Sequence, residues 1–286
     1  MAKSLQIAVW KPTPLSRLPK EQLPVEMFRS FKKQLGEINS HLCIVDVALQ
    51  DFVLDHAHSE DSRAFIRQRA LAHGHRRLGT DKLDLEFALG LAYTSQIALL
   101  LSRLEQLCHF VQKHGMINPK FKELMEGDFL RRTLWLIASS RKGEKVASPL
   151  PEEIAISYIT PLDLAIFDFY RKIRNSELHA ANNRDLTELR SKIDMDRCRS
   201  ELGHAPTPQG DLSFKDVLVV SKTCQRIGRN VCRAVADPNR DIIPELKRRF
   251  GSHPVERRQN AARSLITHAY LLDEADVGLI LSELAW

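Results

Sequence analysis

Arg174, Asn175 and His179 are a compact chemical set within the stretch Ile173-Arg174-Asn175-Ser176-Glu177-Leu178-His179-Ala180. A guanidinium keeps its charge and grips phosphate oxygens in a fork. An imidazole exchanges protons near neutral pH, and a carboxamide can orient either partner. Together they fit cleavage of a phosphodiester by proton transfer and charge stabilisation, with Arg171 and Lys172 one turn earlier as candidate phosphate contacts. The same residues also suit a plain helix end, where arginine, amide and histidine engage the last carbonyls and the macrodipole. Both readings stand at this level.

The element that must carry them is a helix. Thr160-Pro161-Leu162-Asp163 supplies a capping hydroxyl, a proline in the first turn and an acid near the positive end. The helix is expected to run to about Ala180, before Asn182-Asn183. Stepping ~100° per residue gathers Leu162, Ala165, Ile166, Phe169 and Ile173 on a core face. Leu164, Phe167, Arg171, Arg174 and Leu178 fall on a second face, with His179 at its edge. Apolar residues mixed with arginines predict contact with another helix or another subunit, with Leu164, Phe167 and Leu178 as the candidate dimer-interface residues. Asn175 and His179 are neighbours one turn apart, whereas Arg174 lies about 140° from His179. Either the arginine reaches across, or two copies of the helix share a site.

Elsewhere the chain reads as helix throughout. Residues 1–24 carry Pro12, Pro14, Pro19 and Pro24 and predict an extended arm. Phe28, Phe31, Leu35, Ile38, Leu42, Val45 and Leu49 predict a helix from Val25 to about Phe52, in an N-terminal helical segment spanning 25–79. A core helix follows from a cap at Thr80 to about His114, with Gly115 as its stop. Further helices are expected at about 121–139, 185–202 and 213–236, the last capped by Ser213. The loops fall at 139–151 and 203–212. Asp237-Pro238 closes the block of 80–236, and 237–286 reads as a small C-terminal helical extension. No strand pattern competes, so the fold class is all-α.

Composition narrows the options further. With 286 residues and 43% hydrophobic content the chain is long enough for one large domain or two modest ones. No unbroken apolar run approaches the ~18 residues that span a bilayer, and no secretory leader is visible, so no membrane partner and a cytoplasmic location are expected. Cys43, Cys108, Cys198, Cys224 and Cys232 are scattered without a C-x-x-C pair, as suits buried thiols rather than a disulfide framework or zinc site. His56/His58 and His73/His75 alternate beside carboxylates, but in helical context they read as helix ends and loops, so no metal and no cofactor are expected. The net charge of +6, with clusters at Arg131-Arg132, Arg171 to Arg174, Lys247 to Arg249 and Arg257-Arg258, fits a polyanion-binding surface and solvated helix faces equally.

The stretch around Arg174 resembles the HEPN superfamily (higher eukaryotes and prokaryotes nucleotide-binding domain), whose motif is Arg-x4–6-His, often with an amide after the arginine as in Asn175. The likeness is close over 173–180, architectural over 80–236, and absent from 1–79 and 237–286. Arg67/His73, Arg69/His75, Arg103/His109, Arg199/His204, Arg248/His253 and Arg263/His268 repeat the bare spacing. The first stretch is set apart by its amide, its capped helix and its mixed second face. The resemblance implies a HEPN-like helical bundle and a metal-independent endoribonuclease acting by 2′-OH transesterification, in the role of a toxin or phage-defence effector. It further implies RNA as substrate, a homodimer with the site at its interface, and a regulatory or antitoxin protein as further partner. A helical adaptor or a nucleic-acid-binding regulator without catalysis is the alternative.

Overall fold

Asp128 shows how this sequence writes its helices. Its carboxylate accepts from the backbone N–H groups of Leu130 and Arg131, at 3.0 Å each, and so satisfies two donors that a helix start leaves open. Gly127 before it holds φ at 97°, and Gly143 closes the same helix in the left-handed region at φ 74°. The computed structural model describes residues 13, 17–75, 85–124, 127–147, 150–179, 184–208 and 211–284.

Among them the elements are α1 (Pro24–Ala57), α2 (Ser62–Ala72), α3 (Leu85–Gln112), α4 (Phe129–Lys142), α5 (Glu152–Ile156), α6 (Pro161–His179), α7 (Arg184–Ser191), α8 (Met195–Leu202), α9 (Phe214–Ala234), α10 (Ile243–Phe250), α11 (Val255–Ala269) and α12 (Glu274–Glu283). No strand occurs among the described residues, so the chain is all-α.

Several boundaries differ from expectation for local reasons. α1 continues to Ala57, past Phe52, with no proline or glycine near Phe52 to stop it. The helix expected at 121–139 is a short 3-10 turn (Pro119–Leu124) followed by α4, divided at Gly127 and the Asp128 cap. The one expected at 185–202 is α7 and α8, because the Asp194 side chain caps a new start by accepting from Arg197 N–H at 2.9 Å. The expected cap at Thr80 and most of the N-terminal arm lie outside the described residues. Within that arm, Lys20–Gln22 forms a 3-10 turn.

The chain packs as two compact units, each built from separate stretches: Met1–Lys32, Leu104–Pro161 and Arg226–Trp286 in the first, Lys33–Arg103 and Leu162–Gln225 in the second. The boundaries expected at 79/80 and 236/237 separate neither.

In the first unit, buried His114 fastens the N-terminal segment. Its Nε2–H donates to the Gln22 carbonyl at 2.6 Å, and its Nδ1 accepts from Met116 N–H at 3.1 Å. Burial holds its pKa below the usual imidazole value. Arg141 donates to the Ala234 and Ala236 carbonyls at the end of α9, and the bare Cα of Gly228 lets the Phe31 ring lie against that helix.

The second unit holds two polar hubs. The Tyr93 hydroxyl donates to Asp46 at 2.9 Å and accepts from Gln50 at 3.2 Å; burial, then the Asp46 carboxylate, push its pKa up to about 12. Asp216 is wholly buried and accepts from Tyr170 Oη (2.6 Å), Thr207 N–H (2.9 Å) and Thr207 Oγ1 (2.8 Å), and from Ser213 N–H (3.0 Å) and Oγ (3.1 Å). Ser213 and Asp216 thus have the spacing and N–H bond of a capping box, with Tyr170 of α6 joined to it.

Of the cysteines, Cys43 is exposed and the other four are buried; all are free thiols. Burial raises the Cys108 thiol to about 12 and Cys232 further, which leaves them inert as nucleophiles. α3 is long and apolar enough, by length and composition, to cross a membrane, at a mean hydropathy of 1.4 over its best window. Arg103 and Glu105 follow its most apolar part, and Ile97, Leu100, Leu101 and Leu104 on it are 0–1% exposed.

Candidate functional site

α6 spans Pro161–His179, starting where Thr160-Pro161 predicts, while the expected end at Ala180 lies outside the described residues. The expected core face forms: Leu162, Ile166, Phe169 and Ile173 are buried. Leu164 and Phe167 are buried too, at 5% and 1% exposure. Their burial removes these two side chains as subunit contacts, because the chain itself already covers them. Angular counting along one helix cannot tell a second packing partner within the chain from a second subunit. The third interface candidate, Leu178, has its side chain outside the described residues.

Among the described side chains of α6, those part-exposed after Asp168 are Arg171, Lys172, Arg174 and Asn175. The Arg171 guanidinium lies 6.0 Å from the Phe167 ring centroid, one turn before it, as cation and aromatic face attract. Lys172 pairs with Asp185 of α7 at 2.8 Å, so a phosphate at this lysine would have to compete with that carboxylate. With side-chain exposures of 30% and 56%, such a pair is weak enough to be exchanged.

Arg174 Nε–H donates to Asn175 Oδ1 at 3.2 Å. The arginine therefore turns back across the helix surface towards the amide, which narrows the angular separation from His179. With its oxygen engaged, the Asn175 carboxamide presents its NH2 group as a donor. His179 closes α6 one turn beyond Asn175, and its side chain lies outside the described residues. The structure thus joins Arg174 to Asn175 and leaves His179 placed by its backbone alone.

The rival spacings have other employment. Arg69 pairs with Asp55, Arg199 with Asp196 at 2.7 Å, Arg248 with Glu245 at 2.8 Å and Arg263 with Glu274 at 2.6 Å. His109 faces Glu105 at 3.7 Å, and His268 Nδ1–H donates to the Ser264 carbonyl at 2.7 Å. His58 similarly donates to the Leu54 carbonyl at 2.6 Å, and His73 closes α2. Among the described residues, no three His, Cys, Asp or Glu side chains gather as metal ligands.

The second unit also holds a cleft lined by separate segments. A cavity of about 520 Å³ is walled by Phe169 of α6, residues of α7 and α8, and Pro208. Arg190 of α7 borders it, and its Nε–H and Nη2–H both donate to the Pro206 carbonyl, at 3.3 and 3.2 Å. Nothing in the spacing of α7 announces the cavity, since its walls come from four separate segments. Comparison with protein-family models, curated proteins and solved structures finds no match to this chain.

Proposed function

We propose that the protein is a metal-independent endoribonuclease whose site is Arg174, Asn175 and His179. The observation that carries this reading is the Arg174–Asn175 hydrogen bond on the part-exposed side of α6, one turn before His179. It turns the guanidinium towards the side of the helix on which the His179 backbone sits. In the reaction the RNA 2′-oxygen bonds to phosphorus and the P–O5′ bond breaks. The 2′-OH proton is lost and the O5′ leaving group gains one. His179 moves protons, Arg174 stabilises charge on the phosphorane, and Asn175 orients the arginine and donates to a phosphate oxygen. Arg171 and Lys172 extend the positive track, Lys172 after release from Asp185. The HEPN resemblance supports the same chemistry, and with it a cytoplasmic toxin or defence role.

The test is cleavage of single-stranded RNA by purified protein in excess EDTA. His179→Ala is expected to lower the rate on the order of 100-fold or more, the usual contribution of a general acid–base group. Arg174→Lys should also be damaging, since a point charge does not reproduce the fork. Cleavage that EDTA abolishes and manganese restores would overturn the metal-independent mechanism. Loss in His109→Ala or His268→Ala, but not in His179→Ala, would move the site elsewhere.

A second reading, a non-enzymatic adaptor, is favoured by one observation. Ile44, Val47 and Leu54 on α1 are 69%, 60% and 59% exposed, an apolar surface of the kind that binds partner proteins. No RNA cleavage under any condition, with a partner complex lost in Ile44→Ser and Leu54→Ser, would support it instead.

A further inference from the structure

We propose that the cavity beneath α7 is a binding site for a small organic anion with a compact apolar body. The claim is independent of the ribonuclease reading and rests on two features of the second unit.

The first is the wall. Phe169, Leu186 and Ile193, at most 5% exposed, with Met195 and Pro208 form the apolar part of an open cleft of about 520 Å³. That size lies within the range of small-molecule sites, roughly 300–1,000 Å³, which are mostly apolar with a few oriented polar groups.

The second is Arg190. It is half-buried, yet among the described residues it makes no ion pair. Asp185 pairs with Lys172, Glu188 with Lys192, and Asp194 caps α8. The buried Asp216, held by neutral donors, makes no ion pair with Arg190 and acts on it only at longer range, through the region of Tyr170. A guanidinium drawn out of water without a carboxylate is unusual, because partial burial of charge is costly unless compensated. Its two bonds to the Pro206 carbonyl fix its plane while using only one N–H each from Nε and Nη2. Three of its five N–H groups, both on Nη1 and the second on Nη2, remain to receive an anion. A carboxylate or phosphate on Arg190 with its apolar body against Phe169, Leu186 and Ile193 would satisfy both features at once. A cationic ligand would be repelled, and a purely apolar one would leave the three remaining N–H groups unused.

The experiment is calorimetric titration of the full chain with naphthaleneacetate and with naphthaleneethanol, a neutral analogue of nearly the same shape. The acid is expected to bind saturably and at least about tenfold more tightly than the alcohol, the value of one charge-assisted contact. Arg190→Gln should remove that preference while leaving the alcohol's affinity within about threefold. Thr187→Trp, at an exposed position on the cavity lining, should abolish binding of both by filling the space. Equal binding of acid and alcohol by the wild type overturns the anion assignment, with no variant needed. No saturable binding of the acid up to millimolar concentration overturns the site. Unchanged acid binding in Thr187→Trp places the ligand elsewhere and equally refutes it.

Discussion

Substituting Gly228 by alanine should destabilise the protein, although alanine is the better helix former. A Cβ built on Gly228 would lie 2.2, 2.7 and 3.1 Å from Cε1, Cδ1 and Cζ of Phe31. Carbon atoms in contact prefer about 3.5–4.0 Å, so the ring must retreat by roughly 1.3 Å or more. Phe31 is 3% exposed and has no open space to enter. Forcing an extra methyl into a packed core costs about 1–3 kcal/mol. Against this, replacing glycine within a helix returns about 1 kcal/mol. With so short a contact the steric term belongs at its upper end, and a net loss of about 1–2 kcal/mol is expected. The assay is urea unfolding at 25 °C followed by far-UV circular dichroism, for Gly228→Ala alone and in a Phe31→Val background. Valine lacks all three clashing ring atoms, so there Gly228→Ala should become neutral or stabilising, by up to about 1 kcal/mol. A neutral or stabilising effect in the wild-type background would refute the reasoning. So would the same destabilisation in both backgrounds, since the clash would then not be with Phe31.

Other outcomes follow from the same packing. Phe167→Asp should yield unfolded or insoluble protein rather than a folded monomer. Losing a buried ring costs about 3–5 kcal/mol before the carboxylate's desolvation is counted, against a typical total stability of about 5–15. A soluble, native-like variant by circular dichroism would contradict the burial of α6. Tyr170→Phe should cost about 1.5–3 kcal/mol in the same unfolding assay, since it deletes one hydrogen bond to the Asp216 carboxylate. Asp216→Ala should cost more, because it strands the donors of Thr207 and Ser213 as well; a smaller loss than in Tyr170→Phe would contradict the hub. His114 has its folded pKa depressed below the ordinary value of about 6.5, so the unfolded chain binds a proton that the folded one resists. Its contribution is complete above about pH 6.5 and is lost as pH falls from there towards the folded pKa. His114→Gln should therefore shrink the drop in melting temperature between pH 7.5 and 5.5, and an unchanged drop would assign the acid sensitivity to other groups.

The sequence by itself determined the all-α class, the starts of α1, α6, α7 and α9, and the placement of the Arg174–Asn175–His179 set near the end of one helix. These are local properties: a 3.6-residue period, a cap or proline at the start, and a fixed turn between Asn175 and His179. It also placed Ser213 at the start of α9, but its hydroxyl donates to the buried Asp216 carboxylate instead of accepting from a helix N–H. Periodicity does not say what covers a face. Leu164 and Phe167 form an apolar stripe whether the cover is a second subunit or the same chain, and only tertiary packing shows that they are already buried. The converse holds on α1, where Val45 continues the stripe of Phe31, Leu35, Ile38 and Leu42 yet is 44% exposed. Two compact units assembled from separate stretches, and a cavity joining Phe169, Arg190 and Pro208, depend on contacts between distant segments. No spacing rule encodes them, because the energy that brings them together is non-directional apolar burial, which depends on the whole chain at once.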